Sequence, residues 1–193
     1  MEKQSKIDFG MQAIKRKEIQ DDLRASLEHN INERVDRYLE INHQWIIGNH
    51  YFATASAECI KLYRDGYFIS TVMVSQSVNE GIFKFVAEKN SINRESHEQL
   101  IEEIMNRNII SKECADASRR IWGSFRNAVH HMNPEVATIP FETLAKKNLQ
   151  DLSVIEKEIF GVDIKDGKLI PHKPKYWDVQ NDSTVSAFLR LSS

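Results

Sequence analysis

The stretch RNAVHHMNP, residues 126–134, sets Arg126, Asn127, His130 and His131 just ahead of a proline. Arginine keeps its charge and offers a planar fork of N–H donors that matches phosphate oxygens. Histidine takes up and releases protons near neutral pH, which suits a general acid or base. Together they form a minimal kit for cleaving a phosphodiester. The imidazole moves a proton to or from a ribose 2′-OH or the leaving oxygen, and the guanidinium stabilises charge gathering on phosphorus. At a helix C-terminus the macrodipole favours imidazolium while Arg126 opposes it, and such opposed influences suit proton transfer in both directions. This chemistry calls for no metal, and no cofactor is expected. Spacing alone leaves a plainer reading open, in which these are ordinary charged residues on an exposed helix end.

The element expected to carry them is a helix capped at Ser111 and stopped by Pro134. Cys114, Ser118, Ile121, Phe125, Ala128, Val129 and Met132 form its apolar stripe. At about 100° per residue, Phe125, Val129 and Met132 share one direction. Arg126, Asn127, His130 and His131 then occupy the opposite half, turned toward solvent, a cleft or another chain.

Other chemical signatures are missing. There is no phosphate-cradling glycine loop, no nucleophile elbow and no cysteine pair at zinc spacing. The run HEQLI at His97 starts like a zinc-protease motif, but Ile101 stands where a second histidine is needed, so His97 and Glu98 are expected on a solvated helix face. His43 and His50, with no carboxylate or thiol between them, are expected in surface or capping roles rather than on a metal.

The chain has 193 residues, enough for one well-cored domain. With 7 glycines and 4 prolines it has few breaks, which favours long helices over a many-turned β fold. A net charge of −2 means that any nucleic-acid surface must be a local patch. Cys59 and Cys114 are expected as reduced thiols. The N-terminus lacks the apolar core of a signal peptide, and the greasiest run, YFISTVMVSQSV, is interrupted by polar residues and too short to span a bilayer. A cytoplasmic protein away from membranes is expected.

Helical periodicity organises the rest. From Met11 to about Ile41 apolar residues recur mostly every four positions, predicting one long amphipathic helix. The segment 51–66 reads as a helix stopped by Gly66. Residues 67–90 follow as a helix that is apolar on most sides and therefore central. Shorter and longer helices follow at 95–107 and 140–161, with a hairpin turning at Asp166-Gly167. Residues 172–193 form an aromatic tail that either packs across a neighbouring surface or moves freely. The expected fold is all-α, a helical bundle over residues 1–161 with a long N-terminal helix. Residues 162–193 add a short C-terminal hairpin and arm that is not an independent domain.

Arg126, Asn127, three further residues and His131 resemble the Arg-x4-6-His motif of the HEPN superfamily (higher eukaryotes and prokaryotes nucleotide-binding), in its Arg-polar-x3-His form. The context LYRDGYFISTVMVSQSVNEGIFKFV is similar to the helix pair of many HEPN domains. It has a tyrosine–glycine break and then a helix of small and apolar residues carrying a glutamate, here Glu80. The resemblance covers residues 50–160 and leaves the N-terminal helix and the tail outside it.

It implies a HEPN-like bundle of four to five helices that forms a homodimer, with both motifs meeting in an interfacial cleft. It also implies a metal-independent endoribonuclease that leaves a 2′,3′-cyclic phosphate or a related end. Such enzymes act as toxins, in antiviral defence or in RNA processing, with an antitoxin or defence-system partner. On this resemblance Arg126 and His131 are catalytic and Asn127 supports them. His130 lies in the spacer without an assigned role. Glu80 either bonds to Arg126 or sits solvated on its own helix. Arg119 and Arg120, with Lys146 and Lys147 on the next helix, give a modest RNA-binding surface that dimerisation would double. Asn133 replaces the tyrosine that some toxins carry two residues after the motif histidine, so control through that tyrosine is not expected. The alternative is a non-catalytic HEPN domain that binds nucleotide or RNA, or acts as an adaptor.

Overall fold

Asn30 divides the N-terminal helix in two: α1 (Glu2–His29) and α2 (Ile31–Leu39). Its carbonyl accepts from the Arg34 N–H at 3.1 Å and starts the second helix. The computed structural model describes residues 2–180 and 184–190, in two compact units, Met1–Arg37 and Tyr38–Ser193. In the first unit Met11, Ile14, Ile19, Leu23, Leu27, Ile31 and Val35 all stay exposed. A spacing of four overshoots one helical turn by about 40° per step, so these side chains spiral around the axis instead of holding one face. The expected single amphipathic helix is therefore corrected to two segments without a continuous apolar stripe.

The second unit is built around α4 (Phe68–Lys89). It packs against α3 (Ala53–Arg64), α5 (His97–Asn106), α6 (Lys112–Trp122), α7 (Arg126–His131) and α8 (Phe141–Phe160). Gly66, at φ 84°, ends α3, with its N–H on the Tyr63 carbonyl and that of Tyr67 on the Leu62 carbonyl. Val72, Ile82, Phe83 and Val86 of α4 are fully buried, as are Ile121 of α6 and Ile155 and Ile159 of α8. Ser111 caps α6 by accepting from the Cys114 N–H at 3.1 Å. Cys59 and Cys114 are free thiols whose burial pushes both pKa values up. The protein is mostly helical, and among the described residues no helix is long and apolar enough to cross a membrane.

Among the described residues four short strands accompany the helices: β1 (Ile46–Gly48), β2 (Val162–Lys165), β3 (Lys168–Pro171) and β4 (Ala187–Leu189). β2 and β3 pair antiparallel around Asp166 and Gly167, both at positive φ. β4 pairs antiparallel with β1, placing Ile46 opposite Leu189. The tail therefore packs on the bundle, with Tyr176 and Trp177 buried; its residues 181–183 and 191–193 lie outside the described residues. His50 is also corrected. Its side chain is inside, its ring centroid 4.0 Å from that of Phe85, and Nε2 bonds the Tyr176 carbonyl at 2.9 Å.

Arg190 anchors this arm. It is buried, with Nη2 2.5 Å from Glu156 Oε1 and 2.8 Å from Ser56 Oγ, while Nη1 donates to the Gln44 carbonyl at 3.2 Å. Removing one partner of such a pair strands the other charge in a low dielectric, whereas replacing both with apolar groups is far better tolerated. Arg190→Ala is expected to lower stability by about 3–5 kcal/mol in chemical denaturation. Arg190→Met combined with Glu156→Leu should recover most of that loss.

Candidate functional site

The helix expected from Ser111 to Pro134 is interrupted, and the interruption shapes the site. Gly123 caps α6 through its N–H on the Arg119 carbonyl at 2.9 Å. Phe125 then turns left-handed, at φ 54° and ψ 28°, with its N–H on the Gly123 carbonyl at 2.8 Å. For a residue with a Cβ that conformation costs about 1–2 kcal/mol. α7 lasts six residues and ends at Met132, again left-handed at φ 50°. This break resets the helical phase. Ala128 and Val129 point inward and are buried, but Phe125 and Met132, expected on the same core stripe, are 49% and 59% exposed. Asn127, His130 and His131 are exposed and Arg126 is half-buried.

Arg126 is held from two directions. Its Cζ lies 3.8 Å from the centroid of the Trp122 ring, a cation–π contact. Its Nη2 donates to Glu80 Oε2 at 2.9 Å, and Glu80 also pairs with Lys84 at 2.7 Å. Burial alone would raise the Glu80 pKa, but the bonds from Lys84 and Arg126 outweigh it and the net shift is downward. Arg126 Nη1 is buried and has no hydrogen-bond partner among the described residues.

Trp122 in turn stacks on His97, with centroids 4.1 Å apart and planes 12° from parallel. The expected solvated position of His97 is thus corrected. The ring is buried, with Nε2 3.0 Å from Ser118 Oγ and 3.4 Å from Asn79 Nδ2. Burial is the largest cause of its pKa falling to about 4, so it is neutral at pH 7. The sequence held a signal: His97 shares the i, i+3, i+4, i+7 spacing of Leu100, Ile101 and Ile104, the buried face of α5. Glu98 remains outside and pairs with Arg119.

His130 Nε2 lies 3.1 Å from Gln76 Oε1. The Gln76 amide nitrogen donates to the Ser124 carbonyl at 2.8 Å, which fixes the amide orientation. The amide oxygen must therefore accept from His130, so Nε2 carries the proton and neutral His130 keeps its lone pair on Nδ1. Ser124 Oγ donates to the Ile121 carbonyl and accepts from Gln76 at 3.0 Å and from Asn148 at 3.1 Å. His131 makes no hydrogen bond or ion pair among the described residues.

An open cleft of about 640 Å³ collects Trp122, Phe125, Arg126, Asn127, His130, His131 and Glu135 along its walls. Four of the residues singled out from sequence thus share one cleft, and Glu80 touches Arg126. Arg119 and Arg120 do not line it. Arg119 pairs with Glu98 at 2.7 Å and Asp116 at 3.4 Å, and Arg120 grips Asp151 with two nitrogens. Lys146 pairs with Glu40 at 2.9 Å, while Lys147 is exposed. Gln76, His97, Trp122 and Glu135 were not singled out from sequence as parts of the site. Among the described residues no three His, Cys, Asp or Glu side chains are grouped to hold a metal ion. No family model, curated protein or solved structure matches this chain.

Unfolded, His97 protonates near its ordinary value of 6.5, and folded only near 4, so acid favours the unfolded chain. The stability held above pH 6.5 should drop by about 1–2 kcal/mol on going to pH 5. His43, also shifted down by burial, contributes in the same direction. The loss assigned to His97 is the difference between wild type and His97→Gln in denaturation curves at pH 7.5 and pH 5.

Proposed function

We propose that this protein is a metal-independent endoribonuclease of the HEPN type. The observation that carries the reading is Arg126, fixed against Trp122 and Glu80 in the same cleft as two histidines. A guanidinium held in place before substrate arrives stabilises developing phosphoryl charge without reorganising. His131 takes the proton from a ribose 2′-OH. The 2′ oxygen attacks phosphorus, the bond from phosphorus to the 5′ oxygen breaks, and that oxygen is protonated as it leaves. The products are a 2′,3′-cyclic phosphate and a 5′-hydroxyl. In a homodimer, the motif of the second copy supplies the acid. Asn127 supports the pair, and His130, bonded to Gln76, lines the cleft with a defined tautomer.

Three settings fit such an activity: a toxin with an antitoxin, antiviral defence, and RNA processing. Arg119, Arg120 and Lys146 are tied to carboxylates of the same chain, which reduces the charge they can offer to an RNA backbone; the second reading is a domain that binds RNA or nucleotide, or acts as an adaptor, without cutting.

RNA incubated with the protein in EDTA should be cut to fragments ending in cyclic phosphate. Arg126→Ala and His131→Ala should each slow cleavage by about 10²-fold or more. Cleavage that persists in both variants overturns the catalytic assignment, and binding without turnover in wild type selects the non-catalytic reading.

A further inference from the structure

Besides the imidazoles of His130 and His131, the rings of Trp122 and Phe125 line the cleft, and these two are used differently. Trp122 is engaged by His97 and Arg126. Phe125 has no ring or cation contact among the described residues and is half exposed. Its left-handed backbone keeps it out of the buried face formed by Ala128 and Val129, next to the arginine in sequence. An apolar ring held at a polar cleft mouth, at a conformational cost, is a feature that proton transfer and phosphate binding do not use.

We propose that Phe125 is the base-stacking residue of the cleft, which selects an unpaired nucleotide for the phosphate held at Arg126. A nucleobase offers a flat π face joined through ribose to a phosphate, matching an exposed ring beside a guanidinium. In a duplex both faces of each base are covered by neighbouring pairs, so this ring recruits single-stranded or looped RNA. Because every base has a π face, the contact is tolerant of sequence. The proposal rests on the reading of the cleft as an RNA site.

The probe is a short single-stranded 2′-O-methyl oligonucleotide, which binds without being cut, together with its fully abasic counterpart; binding is read by fluorescence anisotropy. Phe125→Asn removes the ring, and asparagine accepts the left-handed backbone, so folding is preserved. It should weaken binding of the intact oligonucleotide by about tenfold. Phe125→Trp should bind like wild type. The abasic strand should bind wild type about as weakly as Phe125→Asn binds either strand.

Equal binding by wild type and Phe125→Asn overturns the proposal, even if RNA is cleaved. So does a loss of self-association in Phe125→Asn with unchanged oligonucleotide binding, which assigns the ring to a protein contact. Weakened binding in Phe125→Asn without any cleavage by wild type keeps the stacking role and removes the catalytic one. Absence of any oligonucleotide binding by wild type overturns both.

Discussion

Burying an amide or hydroxyl without a partner costs several times what a satisfied hydrogen bond contributes. That asymmetry governs the middle of this fold. The central helix α4 buries Ser75, Gln76 and Asn79 completely, and each demands partners from another element. Ser75 receives Asn148 of α8, Gln76 binds Ser124 and His130, and Asn79 reaches Ser118 and His97. Asn79 Oδ1 is left without a partner among the described residues, but the bonds of Ser75 and Gln76 tie α4 to α8 and to the α6–α7 junction on which the cleft is built. A purely apolar α4 would pack as tightly but would leave the position of α7 underdetermined.

The same economy explains how Arg126 keeps its charge half inside the protein. Its guanidinium is flanked by a π face and a carboxylate, neither of which consumes all of its donors. The indole beneath it is backed by His97, which burial keeps neutral and therefore adds no second charge behind the arginine. The arginine is thus held by one carboxylate at its side and by a neutral indole–imidazole stack beneath it.

Most helices were legible from caps and periodicity: Ser111 starts α6, Gly66 ends α3, and the largely apolar α4 is central. The polar half of the motif was legible too, since Arg126, Asn127, His130 and His131 are accessible under either phase of the helix. What escaped was the break at Gly123–Phe125. A single glycine within a good apolar stripe is a weak stop signal, and the left-handed turn at Phe125 comes from tertiary bonding of Ser124, which local pattern does not encode. Gln76 escaped for a related reason. It interrupts a greasy run and reads as a polar blemish until its partners on distant segments are known. The N-terminal pattern misled in the opposite sense, because a spacing of four looks regular on paper and drifts around the helix in space.

Arg190 has a temporal meaning as well as a spatial one. It lies 34 residues beyond Glu156, the carboxylate it neutralises. At about 5–20 residues per second of synthesis, that interval is a few seconds during which Glu156 has no guanidinium to meet it and β1 has no neighbouring strand. The nascent bundle therefore cannot satisfy Glu156 in its interior until Arg190 has been synthesised, so closure of this part of the core trails the synthesis of α8.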